Sequence, residues 1–279
     1  NTYLTFDFEG YVNSRDVLTY QDDPTSSIGN WERMEHGKYR ETRIGGSFAF
    51  GSQIARLGDI TAAFRTERQR VSGISGDGYT NEDYRFASIK LQTILDTENK
   101  FIFPTEGIYL SLAYENALKS LGSDVSFTKV SASWSFYHTF FNKHTIHPRF
   151  TFGFADQTLP LTEQFSMGGL QSFFGLQNDD SRGRQLFLGS FEYRMTLPFK
   201  ILFNTYLSAR YDLGMISTVP EELKFSKFRH GIGFQLGLET PLGAAIFAAG
   251  KSFYFRSDLN DSPVSAGPLL FYFTIGPNL

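Results

Sequence analysis

The sequence predicts an all-β protein, a transmembrane antiparallel β-barrel of about 12 strands. Three observations predict it. Apolar and polar residues alternate with period two in segment after segment. Aromatic residues make up 16% of the chain, with 30 Phe and 14 Tyr beside 26 Gly, more rings than a soluble core asks for. No window reaches the roughly 18 consecutive apolar residues of a spanning helix, whereas a barrel strand crosses with about 10 alternating ones, so a mean hydropathy of -0.24 is compatible with spanning.

The strands follow in order. Runs at 2–12 and 243–255 show the least facial contrast, the second because 243–250 is rich in Ala, with Lys251 suggesting a bulge or change of frame. The run at 38–50 sets Thr42, Ile44, Gly46, Phe48 and Phe50 against Glu41, Arg43, Gly45, Ser47 and Ala49. A small or charged face again opposes an aromatic or aliphatic one at 56–70, 84–96, 107–117 and 125–139. At 144–155, Ile146, Pro148, Phe150, Phe152 and Phe154 oppose His147, Arg149, Thr151 and Gly153. Runs at 186–197 and 200–213 precede 226–239, where His230, Ile232, Phe234, Leu236 and Leu238 oppose Arg229, Gly231, Gly233, Gln235 and Glu239, and a last run covers 268–277. The resulting twelve strands are an even number, as closure of an antiparallel barrel requires.

Short turns such as Pro198-Phe199 and Pro241-Leu242-Gly243 alternate with longer connections at 13–37, 71–83, 118–124, 156–185, 214–225 and 256–267. Placing the short turns on the periplasmic side puts the long ones outside. Tyr39, Tyr84, Tyr114, Tyr137, Phe140, Phe141, Tyr211 and Tyr254 lie near strand ends and are expected in interfacial girdles. A soluble sandwich or internal-cavity barrel is the competing architecture, disfavoured because such aromatic outer rows would form large sticky patches in water.

The chain has 279 residues, no cysteine and a net charge of -3. This excludes disulfides, thiolate metal sites and cysteine nucleophiles, and the lack of a basic excess argues against nucleic acid as a partner. No charged leader with an apolar stretch opens the chain, which is taken as mature or excised and as one barrel domain over 1–279. The expected inner wall carries Glu41, Arg43, Arg65, Glu67, Lys90, Glu115, Lys129, Arg149, Glu192, Arg194, Arg210, Asp212, Arg229 and Glu239. Both signs are interleaved, which suits paired networks or a plug better than single-sign ion selection. Solvated lumen residues without a further role are the plainer alternative for most of them.

About thirty residues from 156 to 185 lack strand alternation, a length seldom tolerated without a function. They include Glu163-Gln-Phe-Ser-Met-Gly-Gly-Leu-Gln-Ser-Phe-Phe-Gly-Leu176 and lead into Leu186-Phe-Leu-Gly-Ser-Phe-Glu-Tyr-Arg194. This order resembles the barrel domain of the BamA-like outer-membrane assembly-factor superfamily, which includes barrels attached to patatin-type phospholipases and to two-partner secretion transporters. In that superfamily a Phe-x-x-Gly-Gly-x-x-Ser-x-Arg-Gly-Phe/Tyr stretch folds back into the lumen before a strand with Glu-x-Arg. Phe165, Gly168, Gly169, Ser172, Gly175, Glu192 and Arg194 match; the loop arginine is replaced by Phe174 and the following aromatic by Leu176. Asp212-Leu213-Gly214 matches a later Asp-x-Gly, and Phe103-Pro-Thr-Glu-Gly107 resembles a Phe-Pro-Thr-x-Gly turn. The match is good over 95–279 and rests on pattern alone before that.

The resemblance implies that a loop arginine seats the loop on the wall Asp through a charge-assisted bond. With Phe174 in its place, Asp212 needs another partner: Arg194 or Arg210 from the wall, or Arg182 or Arg184 from the loop. The loop is expected to fold inward on Phe173 and Phe174; an ordinary extracellular loop with Gly for flexibility is the alternative. The superfamily usually has about sixteen strands, so seven before the loop and five after it imply a shortening on the N-terminal side, with no periplasmic substrate-binding repeats ahead of the barrel. Gly267-Pro-Leu-Leu-Phe-Tyr-Phe273 resembles a C-terminal assembly signal, although the sequence ends in Pro277-Asn278-Leu279.

Catalytic motifs are not found. None of His36, His138, His144, His147 and His230 starts the His-x-Ser of outer-membrane phospholipase A, and Gly73-Ile-Ser-Gly76 lacks the Gly-x-Ser-x-Gly spacing of patatin-type lipases. His144 and His147 point to opposite faces of a strand, and Asp179-Asp180 lacks the further ligands of a calcium loop. The expectation is a barrel without enzymatic activity, cofactor or metal, located in the outer membrane of a Gram-negative-type bacterium. It acts as transporter, insertion factor or membrane anchor, with lipid and a client polypeptide as partners and an open oligomeric state. The alternative is the membrane domain of a patatin-type phospholipase or other barrel enzyme.

Overall fold

The computed structural model describes residues 3–23, 29–200, 202–220, 227–255 and 264–276. The alternating runs become β1 (Leu4–Asp22), β2 (Arg33–Ile54), β3 (Gly58–Gly76), β4 (Glu82–Asp96), β5 (Gly107–Ala117), β6 (Phe127–Phe140) and β7 (His144–Ala155). Two short strands, β8 (Phe165–Met167) and β9 (Ser181–Gly183), precede β10 (Gln185–Thr196), β11 (Thr205–Ser217), β12 (Arg229–Thr240), β13 (Gly243–Phe255) and β14 (Val264–Gly276). One 12-stranded sheet runs in chain order from β1 to β7 and then β10 to β14, while β8 and β9 pair only with each other. At one end of the sheet a segment before β2 reaches the last strand: Trp31 N–H donates to Ala266 O (3.0 Å) and Ala266 N–H to Gly29 O (3.1 Å).

The faces settle which solvent each side meets. Rows such as Phe6 and Phe8, Phe48 and Phe50, Phe150, Phe152 and Phe154, and Phe271 and Phe273 are exposed. The opposite face buries Glu41, Glu67, Glu115, Glu192, Arg194, Arg210 and Asp212. A water-soluble protein arranges these classes the other way round, whereas a lipid-facing barrel requires this order. No helix among the described residues is long and apolar enough to cross a membrane.

Three expectations need correction. The connections at 13–37 and 71–83 are largely strand: β1 runs to Asp22, β2 begins at Arg33 and β3 reaches Gly76. Their upper parts lose hydropathic alternation because both faces are polar above the lipid, where Arg40 and Lys38 meet Asp16 (2.8 and 3.0 Å) and Arg68 and Arg70 meet Asp83 (both 2.8 Å). The backbone ladder nevertheless continues as far as the Asp22–Arg33 pair. Tyr39, Tyr84, Tyr137 and Tyr254 are not girdle residues. Their parity places them inward: Tyr39 and Tyr84 are buried, Tyr137 stacks on His147, and Tyr254 packs on Trp31. Finally, β11 starts at Thr205 instead of 200, after a longer turn closed by Leu197 N–H to Thr205 O (2.9 Å). The frame change expected near Lys251 is present as a slip in the β13–β14 register between Lys251 and Phe253. Residues 2, 24–28, 201, 221–226, 256–263 and 277–279 of the expected strands and loops lie outside the described residues.

Candidate functional site

The loop between β7 and β10 lies against the inner face of the sheet through two seats. The seat on β11 to β14 contains most of the residues singled out in the sequence. Phe173 and Phe174 are fully buried and Leu176 nearly so. Gly168, Gly169 and Gly175 have φ of +132°, +86° and +77°, and Gly169 N–H donates to Leu176 O (3.0 Å), closing the hairpin that presents the two rings. Gly175 is doubly constrained, since a Cβ there would lie 2.0 Å from Ser252 N. Opposite it, Gly250 leaves the recess for Phe174: a Cβ at Gly250 would stand 2.9 Å from Phe174 Cβ. Burying each ring is worth about 1.5–3 kcal/mol.

Polar contacts fix the register of this seat. Phe174 N–H donates to Asp212 Oδ2 (2.9 Å), and Arg210 Nε donates to Asp212 Oδ1 (2.7 Å). The same guanidinium donates to Leu170 O (2.6 Å) and Ser172 O (2.8 Å), and its Cζ lies 4.3 Å from the Phe174 ring centroid. Of the four arginines left open by the sequence, Arg210 is therefore the partner of Asp212. It sits two residues away on the same face of β11, so the wall supplies both charges and the loop supplies carbonyls, an N–H and a ring. Tyr272 and Ser252 complete the seat: Gly175 N–H donates to Tyr272 OH (2.7 Å), Tyr272 OH to Leu176 O (2.9 Å), and Ser252 Oγ to Gly175 O (2.7 Å).

Glu192 and Arg194 do not join this group. Glu192 accepts from Gln235 Nε2 (2.9 Å) and faces His147 Nδ1 (3.4 Å). Arg194 donates to Pro104 O and lies over the rings of Phe103, Tyr137 and Tyr206 at 5.4, 5.7 and 5.8 Å. It thus holds the 97–106 turn at the opposite end of the lumen. Arg182 stays within the loop, on Asp179 (3.3 Å) and Leu161 O (3.3 Å), and Arg184 reaches Thr218 O (3.4 Å).

The second seat was not visible in the sequence. A 3-10 turn at Leu161–Glu163 places the Glu163 carboxylate among Arg43 (3.1 Å), Arg65 (3.0 Å) and Lys129 (3.7 Å), with Gln69 Nε2 donating to it (2.8 Å). Lys129 Nζ also donates to Glu163 O (2.6 Å), and Tyr84 OH bonds Thr162 Oγ1 (2.5 Å). Glu67 and Glu115 share the same arginines, Arg65 to Glu115 being 3.0 Å. Burial pushes the Glu163 carboxyl up, but Arg65, Lys129 and Arg43 outweigh it and hold the group down at about 2. The wall residues were legible as alternating charges; that their common partner is Glu163 depends on a loop fold no local pattern encodes.

Asp179 and Asp180 meet cationic side chains. Arg15 and Arg182 bind Asp179 (3.2 and 3.3 Å), and Arg33 binds Asp180 (3.0 Å). Burial raises the Asp180 carboxyl, whereas at Asp179 it is outweighed by Arg182, Ser166 and Arg15. Among the described residues no group of three or more His, Asp or Glu side chains is placed to hold a metal ion.

Residues 6–278 match the family described as the Omp85 superfamily domain. Among solved structures, the chain is similar to BamA from Haemophilus ducreyi lacking POTRA domains 1-3, with a TM-score of 0.70 and 14% identity over 99% of this chain and 62% of that one. The chain thus spans less than two thirds of that structure's length. No curated protein matches it by sequence.

Proposed function

Because the chain belongs to the Omp85 superfamily, we propose that it serves as a non-enzymatic outer-membrane barrel whose lumen is held shut by the loop at 156–184. Its place is the outer membrane of a Gram-negative-type bacterium. It works there as a transporter, insertion factor or membrane anchor, toward lipid and a client polypeptide. One observation carries this reading: Arg210, Asp212 and the two buried rings bind the loop to the inner face of the sheet. A loop that merely covered the extracellular mouth would have no use for a buried charged pair on β11.

The test is conductance in planar bilayers. The intact chain, folded in detergent and shifting its gel migration on heating, should pass little current, and deletion of residues 166–182 should raise it severalfold. Equal currents from both proteins would place the loop outside the conduction path and refute the occluded lumen. Vesicles carrying the chain should also insert an unfolded barrel client faster than protein-free vesicles. Equal insertion rates would leave transport or anchoring as the role.

A further inference from the structure

We propose that the lumen holds an oxyanion-binding site beneath the loop, with Arg149 as its charge anchor and a small carboxylate- or phosphate-bearing molecule as its ligand. A cavity of about 510 Å³ lies between the loop, at Leu170 and Gln171, and the 97–106 turn, at Phe103 and Pro104. That volume falls within the range of small-molecule sites.

The sheet register explains why Arg149 faces this space with no carboxylate in ion-pair contact, Asp212 and Glu192 acting on it only from a distance. One row across the inner face reads Asp96, Tyr109, Ser135, Arg149, Ser190, Asp212. Both lateral neighbours of Arg149 are serines, too short to cover it, and the next inward residues on its own strand are His147 and Thr151. Strands repeat every 4.7–4.9 Å, so the Asp212 backbone stands about 10 Å away and that of Asp96 about 14 Å. Asp212 is already occupied by Arg210 and Phe174 N–H.

Three carboxylates line the cavity, Asp96, Glu98 and Glu192, and Glu98 faces Ser135. Glu192 is held by Gln235 and His147, and Asp96 accepts from Glu98 N–H (2.8 Å) at the turn. No hydrogen bond or ion pair engages the Arg149 guanidinium among the described residues. Arginine keeps its charge, and its planar fork matches a carboxylate or phosphate. Ser190 and Gln171 line the same cavity and can donate to the remaining oxygens.

Calorimetric titration of the folded chain in a non-ionic detergent tests the site, with inorganic phosphate and succinate in separate arms and chloride as control. The wild-type protein should take up one equivalent saturably, and whichever anion binds more tightly identifies the ligand chemistry. Arg149→Gln should weaken binding about tenfold to a hundredfold, the worth of a charge-assisted contact, and Arg149→Lys should fall between. Arg85→Gln, on an exposed side chain, should change nothing. Equal affinity in wild type and both Arg149 variants, or no saturable uptake below about 10 mM, would overturn the proposal. Heat-shifted gel migration verifies that each variant is folded, and if Arg149→Gln fails this check the lysine variant decides alone.

Discussion

Replacing Arg210 by methionine should unseat the ring-bearing half of the loop without unfolding the barrel. The guanidinium makes three short contacts, to Asp212 (2.7 Å), Leu170 O (2.6 Å) and Ser172 O (2.8 Å), all on the buried inner face. Methionine keeps most of the stem's packing but leaves Asp212 as a buried carboxylate with only Phe174 N–H for company. Breaking a buried pair from one side costs about 3–5 kcal/mol, whereas removing both charges is often near neutral. Taking about 3 kcal/mol as the loss in loop-opening free energy, and about 1.4 kcal/mol per factor of ten, exchange of the Phe174 amide should accelerate roughly a hundredfold. Hydrogen exchange read by mass spectrometry on the 168–176 peptide measures this directly. The double variant Arg210→Met with Asp212→Asn should recover much of the protection, because no charge is left unpaired. Arg194→Met should leave the Phe174 amide unchanged while loosening the 97–106 turn, since Arg194 touches Pro104 O and not the loop. If Arg210→Met leaves exchange within about threefold of the wild type, the charged pair does not seat the loop.

The Glu163 seat should fail with acid. A carboxyl held down at about 2 contributes stability above its ordinary value of 4.5 and loses it as pH falls through about 2, a difference of roughly 3 kcal/mol. Bilayer conductance should therefore rise as pH drops through this window, and Glu163→Gln should show the raised current already at neutral pH; a flat profile in the wild type would contradict the assignment. Gly250→Ala should push on Phe174 and raise Phe174 amide exchange, whereas Gly10→Ala, with nothing within 4 Å of the added carbon, should not. Equal exchange in the two variants would mean that the ring does not occupy the recess.

Much of the fold is legible because membrane strands obey one strict rule. Parity assigns Phe150, Phe152 and Phe154 outward and His147 and Arg149 inward with no reference to any other strand, and the structure has the same order. The rule fails where lipid ends. At Asp16, Lys38 and Arg40 the backbone ladder persists, but both faces are wet, so the hydropathic signal vanishes while the strand does not. Reading strand-end rings as girdle residues without applying parity misassigns Tyr39 and Tyr84, because a ring inside the sheet and a ring at the lipid headgroups have the same composition and differ only in parity.

The site is harder to foresee because its contacts run across the sheet. Phe174 stands where the resembling motif has an arginine, and this substitution left Asp212 without a partner. The structure meets the requirement from two positions along the same strand, since residues i and i+2 share a face and Arg210 and Asp212 lie side by side. Reversing the origin of the charge changes what the loop must contribute. It presents a ring for the guanidinium to cover and main-chain groups to bond, so this seat keeps its charge pairing even when the loop leaves. Glu163 is the opposite case, a loop carboxylate whose departure would leave Arg43 and Arg65 to the wall's Glu41, Glu67 and Glu115 and take from Lys129 its ion pair. Opening the loop therefore costs more at the Glu163 end, where a charge pair is broken and Lys129 is left without its carboxylate, than at the Phe174 end, where the pair stays on the wall. The loop should detach from β11 to β14 first and remain tethered at β2 to β6.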